Sequence, residues 1–155
     1  MVLRVRSDET SADPSSLQDR RVDVGMEVVV VAYGPPGLLH RALGRLEDSY
    51  PVIVVDNSSS LETRAVAERY GAHYLDSGEN VGFARAVNRA LGSRSAGSDV
   101  LLLNPDASID PAAVERLRSA LRAESAAACI APVQHAPGSE VDDRVCWPFP
   151  SPRRV

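Results

Sequence analysis

The residues best suited to chemistry in this chain are Asn104, Pro105 and Asp106, which directly follow the apolar run 99–103. The run is rich in branched apolar side chains and predicts a fully buried strand. Because ligands of open α/β sheets bind at the carboxyl ends of the strands, the Asp106 carboxylate is expected to face a crevice. A lone carboxylate there suits a divalent cation that shares its oxygen ligands with a substrate diphosphate. The alternative is that Asp106 only opens a turn before the next helix.

Two other predicted strands also end at polar groups. The β-branched run 28–32 ends at Tyr33, and the run 52–55 ends at Asp56. An Asp at the end of a second strand is well placed to accept hydrogen bonds from a base or a ribose, and the alternative is that it caps the next helix. Parallel strands end at one edge of a sheet, so these groups are expected to converge with Asp106.

A fourth polar segment, 78–82, precedes a predicted helix for which Asn80 is the expected N-cap. Arg85 falls in the first turn of this helix, near backbone N–H groups that have no partner inside it. A cation beside a helix N-terminus suits a diphosphate, whereas the alternative for Arg85 is an ordinary solvated charge. The residues that this helix is expected to bury are Phe83, Val87, Ala90 and Leu91.

The remaining periodicity supplies the elements that would position these groups. After the loop 34–37, a helix is predicted with an apolar face formed by Leu38, Leu39, Ala42, Leu43 and Leu46. A second helix should begin at a capping box of Ser59 and Glu62 and end before a left-handed Gly71. The side chains that it should turn inward are those of Leu61, Ala65 and Val66.

The second half of the chain continues the alternation of strand and helix. Residues 73–75 form a short predicted strand, and Asp110 followed by Pro111 opens a last helix. The buried stripe of that helix is Val114, Leu117 and Leu121, and residues 127–131 can form a fifth strand. Strand and helix alternate through four units, which predicts an α/β fold: a mostly parallel, Rossmann-like sheet with helices on both faces.

Composition limits the domain organisation and the classes of partner. A chain of 155 residues with 44% hydrophobic content can form one domain. We predict a disordered leader over 1–25, an α/β domain over 26–132 and an irregular tail over 133–155. The net charge of −4 does not support a nucleic-acid partner, and no apolar run approaches the ~20 residues of a membrane helix.

Other catalytic classes lack their signatures. There is no Walker loop and no Gly-x-Ser-x-Gly elbow, and the turn 34–37 does not match the dinucleotide fingerprint, which disfavours a nicotinamide enzyme. His73 and His135 have no partners at metal-ligand spacing. Cys129 lies in an apolar run and is expected in the core rather than as a nucleophile.

Four segments, in this order and spacing, carry a resemblance to a known family. They are VVVVAYG at 28–34, IVVDNSS at 53–59, ENVGFARAVN at 79–88 and LLNPDA at 102–107. Together they resemble the nucleotide-binding half of family 2 glycosyltransferases with the GT-A fold. The branch they resemble most is that of bacterial rhamnosyltransferase-like enzymes, which build cell-wall and surface polysaccharide.

The resemblance implies a set of roles. The end of the first strand and the Asp of the second strand would hold the nucleotide base, and the 80–88 segment would line the sugar-diphosphate site. The Asp-x-Asp motif, written Asn-Pro-Asp in this branch, would bind magnesium or manganese through Asp106. The donor-binding residues implied are Ala32, Tyr33, Asp56, Asn80, Gly82, Arg85, Asn88, Asn104 and Asp106.

The chain also departs from the family. An acceptor-binding half with a Glu-Asp motif is expected to follow, and Asp142 and Asp143 do not match that motif. The catalytic base is therefore unknown, and the chain is expected to be a truncated, cytoplasmic glycosyltransferase, compatible with the inner face of the membrane. Its expected partners are a nucleotide-diphosphate sugar and a glycan or lipid-linked acceptor.

Two alternatives remain open. One is a non-catalytic nucleotide-sugar-binding remnant, or a subunit that needs a partner chain or an oligomer. The other is a nucleotidyltransferase, for which the turn 34–37 is a poor triphosphate loop.

Overall fold

We describe the protein from a computed structural model, in which residues 1–4, 25–46, 48–135 and 142–143 are described. The strands are β1 (Val2–Leu3), β2 (Met26–Ala32), β3 (Val52–Asp56), β4 (His73–Asp76), β5 (Asp99–Leu103), β6 (Cys129–Ile130), β7 (Gln134–His135) and β8 (Asp142–Asp143). The helices are α1 (Pro36–Gly44), α2 (Leu61–Arg69), α3 (Phe83–Ser93) and α4 (Pro111–Ala123). Among the described residues, no helix combines the length and the apolar character needed to cross a membrane.

Six strands form one mixed sheet in the order β4-β3-β2-β5-β1-β6. Strands β4, β3, β2 and β5 are parallel to one another, and the register aligns Val30 with Val54 on one side and with Leu103 on the other. Strand β1 runs antiparallel between β5 and β6, and β7 pairs with β8 in a separate ladder. The run of parallel strands explains why β2, β3 and β5 are apolar over nearly their whole length.

Both faces of the sheet are covered by helices. Alternate residues of β2 pack on one side with α1, α2 and α4, and on the other side with α3. Val28 and Val30 belong to the first cluster, and Val29 and Val31 belong to the second. This is the period of two expected of a strand. The predicted α/β architecture with helices on both faces is confirmed.

The start of the chain differs from the prediction. Residues 1–4 were placed in a disordered leader over 1–25, yet Val2 and Leu3 form β1, and Val2 is completely buried. Val2 pairs with Leu101 on β5 and with Ile130 on β6. The backbone N–H and C=O groups on the side of β5 that faces away from β2 need hydrogen-bond partners, and β1 supplies them. The composition of residues 1–4 could not show this pairing. Residues 5–24 lie outside the described part, as does most of the predicted tail.

Helix starts were predicted with mixed success. The N-cap of α2 is Ser60, whose hydroxyl accepts the N–H of Thr63, and not Ser59 as predicted. Asn80 is also not the N-cap of α3, since that position belongs to Gly82. Asp110 caps α4 as expected, and Gly71 has the expected left-handed φ of +61°.

Several apolar residues predicted to be buried are exposed. Leu61 and Phe83 are 82% and 55% exposed because each is the first residue of its helix and lies beyond the strand ends. Ala65 is also exposed, and Thr63 and Ala67 are buried from α2 instead. The prediction for Cys129 was wrong as well: it is exposed, because the strand β6 forms the edge of the sheet. The stripes of α1 and α4 were predicted correctly.

Two buried carboxylates lie at the edge of the sheet where the parallel strands begin. The Glu27 carboxylate accepts the Ser95 N–H at 2.8 Å and the Ser98 hydroxyl at 3.3 Å. The Asp99 carboxylate lies 3.8 Å from the guanidinium groups of both Arg118 and Arg122. Buried charges require such partners, so these carboxylates serve the structure of the sheet.

Candidate functional site

The strands β2, β3, β4 and β5 end at one side of the sheet. The register aligns Ala32 with Asp56, and Asp56 with Asp76, so three strand ends are level. Leu103 is aligned with Val30, two residues before the end of β2. We call the segments that follow these strands, residues 33–35, 57–60, 77–82 and 104–106, the C-terminal edge. Together with the start of α3, it brings the predicted donor-binding residues to one side of the sheet.

Asp56 is fully buried, and its carboxylate organises the loop 57–60. One oxygen accepts the Ser58 N–H at 2.7 Å, and the other accepts the Ser60 N–H at 2.8 Å and the Tyr74 hydroxyl at 2.9 Å. The alternative considered from the sequence was that Asp56 caps the next helix. The N-cap of α2 is Ser60, and Asp56 accepts the N–H of that residue. These contacts do not test whether Asp56 also binds a nucleotide base, and that role stays a prediction.

The loop 57–60 is also tied to the end of β2. The Asn57 N–H donates to the Ala32 carbonyl at 2.9 Å, and the Gly34 N–H donates to the Ser58 hydroxyl at 3.1 Å. Tyr33, between these contacts along the chain, leaves its side chain 65% exposed. The edge therefore combines a fixed backbone with an exposed aromatic ring.

Asp76, at the end of β4, belongs to the same edge and was missed in the sequence. Its carboxylate accepts the Ser59 hydroxyl at 2.6 Å and the Gly78 N–H at 2.8 Å. The Ser59 hydroxyl, and then the Gly78 N–H, hold the pKa of Asp76 below its usual value. The predicted strand 73–75 stops one residue before Asp76, and β4 includes it, so Asp76 was not among the predicted strand-end groups.

Helix α3 begins at the C-terminal edge without a side-chain cap. Its N-cap Gly82 has a φ of +80°, and Asn80 accepts the Gly82 N–H at 3.0 Å in a turn before the helix. Arg85 and Asn88 are both exposed, and Arg85 makes no ion pair within the described ranges. The first N–H groups of α3 thus lie beside a guanidinium that is available to a ligand.

Asp106 is exposed within a turn that the Ala107 N–H closes on the Asn104 carbonyl at 3.0 Å. Its carboxylate has no hydrogen-bond or ion-pair partner in the part of the chain that the structure describes. The capping of α4 is performed by Asp110, so Asp106 is not needed for that purpose. Within the described ranges, no three acidic, His or Cys side chains cluster as a metal site. A cation held by Asp106 would therefore need oxygen ligands from a bound molecule.

A cavity of about 510 Å³ lies elsewhere, at the opposite edge of the sheet. It is lined by residues between Leu43 and Val52 and by Arg69, Tyr70 and Gly71, and none of the predicted donor-binding residues takes part. The cavity and the predicted donor-binding residues therefore lie at different places in this chain. The candidate site is the C-terminal edge, where the Asp106 carboxylate, the Arg85 guanidinium and the start of α3 lie on the same side of the sheet.

Two tyrosines are expected to ionise late. The pKa of Tyr74 is raised mainly by burial and also by the hydrogen bond that it donates to Asp56. The pKa of Tyr50 is raised to about 12, mainly by burial and also by its hydrogen bond to Glu115. The folded state then holds more protons than the unfolded state above the ordinary tyrosine pKa of 10.0. Stability should therefore be constant in pH just below that value and fall as pH rises through it.

An ultraviolet absorption titration of the folded protein checks this prediction, with chemical denaturation repeated at each pH. Tyr74→Phe should remove one late-ionising phenol of the four tyrosines and reduce the alkaline loss of stability. Four phenols titrating together at the ordinary value would contradict it.

Most of the chain matches a family of known proteins. A family model described as "Glycosyl transferase family 2" matches residues 27–153. The chain belongs to glycosyl transferase family 2. This confirms the resemblance found in the four sequence segments, and the mostly parallel sheet agrees with the GT-A, Rossmann-like fold expected of it.

A curated relative is also similar. The chain is 31% identical over 97 residues to the low-salt glycan biosynthesis hexosyltransferase Agl10 of Haloferax volcanii. The match covers 59% of this chain and 31% of the relative, so the chain spans about a third of the relative's length. The descriptions of the family and of the relative both concern glycosyl transfer, and divalent cations are typical of the family.

Proposed function

We propose that the C-terminal edge binds a nucleotide-diphosphate sugar together with a divalent cation, and that the chain serves glycosyl transfer in the synthesis of a cell-wall or surface polysaccharide. The observation that carries the proposal is the Asp106 carboxylate. It is exposed, without a partner in the described ranges, and at the same edge as the uncapped start of α3 with its Arg85.

The nucleotide base would be held where β2 and β3 end. Tyr33 offers an exposed ring on which a base can stack, and the Ala32 backbone and the loop ordered by Asp56 form the surface beside it. An aromatic ring against a base is favourable whatever the base, because every base has a π-face. Selection of one base would then come from hydrogen-bonding groups of the 57–60 loop.

The diphosphate would lie at the start of α3. The free N–H groups there carry the positive end of the helix dipole, and the Arg85 guanidinium adds a full charge and a bidentate donor. Gly82 has a positive φ, a backbone conformation that residues with a side chain rarely adopt. Because it has no side chain, a ligand could also come close to the backbone at this position. Asn80 and Asn88, on either side of this turn, would contact the sugar-diphosphate.

The cation fits the donor set at the end of β5. Asp106 would hold it, with Asn104 beside it, and oxygen ligands are those that magnesium and manganese prefer. When bound, a cation would supply positive charge to a leaving diphosphate. The expected chemistry is displacement at the anomeric carbon, in which Arg85 stabilises the leaving diphosphate and a base, not assigned among the described residues, takes the acceptor's proton.

The acceptor and the location follow from the same proposal. We expect a glycan or lipid-linked acceptor, and a site in the cytoplasm or at the inner face of the membrane. The relative's name, a hexosyltransferase of glycan biosynthesis, supports a hexose or a related sugar as the transferred group.

Titration calorimetry with uridine and thymidine diphosphates and their sugars, in the presence of manganese, tests the proposal. We expect the wild-type chain to bind these ligands. The affinity of Arg85→Ala should be lower than that of the wild type by roughly tenfold or more, because a charge-assisted hydrogen bond contributes about 1.5–3 kcal/mol. Arg45→Ala is the matched control, since it removes an exposed guanidinium at the far end of α1. Equal affinity of the two variants would refute the role of the α3 start.

A further inference from the structure

Ser59, in the loop between β3 and α2, has a backbone φ of +50°, in the left-handed region that favours glycine. A non-glycine residue keeps such a conformation only where its surroundings over-determine it, and residues of this kind are concentrated at functional sites. The other non-glycine residue with a positive φ in the described ranges is Asp48, which lines the cavity at the opposite edge. Ser59 therefore depends on contacts that hold it in place.

Two carboxylates on neighbouring strands hold the loop. Asp56 accepts the backbone N–H groups on either side of Ser59, those of Ser58 and Ser60, at 2.7 and 2.8 Å. Asp76 accepts the Ser59 hydroxyl itself at 2.6 Å. Because Asp56 and Asp76 are aligned on parallel strands, both act on the same short loop from adjacent positions.

We propose that Asp76 is a positioning residue for ligand binding: by accepting the Ser59 hydroxyl, it fixes the loop 57–60 in the conformation that receives the nucleotide base. This inference rests on the proposed function of the C-terminal edge. The same Asp76 oxygen accepts the Gly78 N–H, so one carboxylate joins the loop after β3 to the loop that leads into α3. Asp76 is ionised at neutral pH like any exposed carboxyl, and the hydrogen bonds from the Ser59 hydroxyl and the Gly78 N–H lower its pKa further.

Whether replacing Asp76 weakens or strengthens nucleotide binding distinguishes a positioning role of this carboxylate from a purely electrostatic one. Asp76 is an exposed negative charge at an edge proposed to bind an anionic diphosphate. If Asp76 acted only through its charge, its removal would relieve repulsion and strengthen binding. Positioning predicts weaker binding, because the ligand would have to order a loop that is no longer held.

A double-mutant cycle at neutral pH tests the inference by calorimetry with thymidine or uridine diphosphate. Asp76→Ala and Ser59→Ala are each expected to weaken binding roughly tenfold. The double variant should bind no more weakly than Asp76→Ala, because that variant has already lost the contact with the Ser59 hydroxyl. Asp76→Asn keeps an acceptor oxygen, and its affinity should stay within about threefold of wild type. The control is Glu124→Ala, which removes an exposed carboxylate that also accepts a backbone N–H, away from this edge.

Hydrogen exchange without ligand provides a second readout. Asp76→Ala should speed exchange of the Ser58 and Ser60 amide protons and leave those of β2 unchanged. If the wild type binds and Asp76→Ala binds equally or more tightly, the inference is overturned. If the wild type binds no nucleotide, the proposed function fails and this role fails with it. The exchange rates then report separately whether Asp76 holds the loop.

Discussion

Replacing Asp106 by asparagine is expected to abolish the effect of a divalent cation on nucleotide binding. In the wild-type protein, manganese should strengthen binding of a nucleotide diphosphate roughly a hundredfold, since a bound cation supplies several kcal/mol of charge stabilisation. Asp106→Asn keeps the shape of the turn and removes the charge, so manganese should make little difference to its affinity. Without manganese, the variant should bind slightly more tightly than wild type, because one negative charge is gone from the edge.

Calorimetric titrations of nucleotide with and without manganese measure both effects. Glu79→Gln is the matched control, because Glu79 is an exposed carboxylate in the segment that leads into α3. The control should keep the full manganese effect. Tight manganese binding by the ligand-free protein, unchanged in Asp106→Asn, would contradict a site that depends on the diphosphate for most of its ligands.

Replacing Asp99 by alanine is expected to lower the free energy of unfolding by roughly 3 kcal/mol. Asp99 is 7% exposed, and its carboxylate lies 3.8 Å from the guanidinium groups of Arg118 and Arg122. Removing it takes away the buried carboxylate beside the largely buried Arg118, which keeps the half-exposed Glu115 at 3.7 Å, and breaking a buried ion pair is costly. The affinity for nucleotide of the molecules that remain folded should not change, because Asp99 lies at the start of β5, at the opposite edge from the candidate site.

Urea unfolding of both this variant and Glu68→Ala measures the difference. Glu68 pairs with Arg64 at 2.8 Å, but both side chains are more than half exposed, so the loss should be much smaller than that of Asp99→Ala. If both variants lost the same free energy of unfolding, the buried Asp99 would contribute no more to stability than the exposed Glu68, and the prediction would be wrong.

The correct sequence predictions share a physical basis. Strands β2, β3 and β5 are nearly continuous apolar runs, a pattern typical of a parallel sheet covered on both faces, and each is followed by a polar or turn-forming segment. The stripes of α1 and α4 follow the helical period. Parallel strands must end at one edge, so the convergence of Asp56 and Asp106 at the same side of the sheet was predictable without coordinates.

The errors occurred where position in the tertiary structure outweighs residue type. Leu61 and Phe83 are apolar and in helical phase, yet each begins a helix that protrudes beyond the strand ends, so neither reaches the core. Cys129 is exposed because its strand is the outermost of the sheet. Val2 has no periodic neighbours, and it is buried because β5 presents an unpaired edge, which is a property of the assembled sheet.

The sequence by itself determined the class of fold, the segments that form the parallel strands and the side of the sheet at which a ligand can bind. It could do so because hydrophobic periodicity and turn residues are local properties. The tertiary structure decided which side chains are available at that edge. It buries Asp56 under three hydrogen bonds, leaves Asp106 and Arg85 exposed, and links Asp76 to the left-handed Ser59. The contact between Asp76 and Ser59 depends on the register between β3 and β4, and register is set by pairing between segments that are distant in the chain.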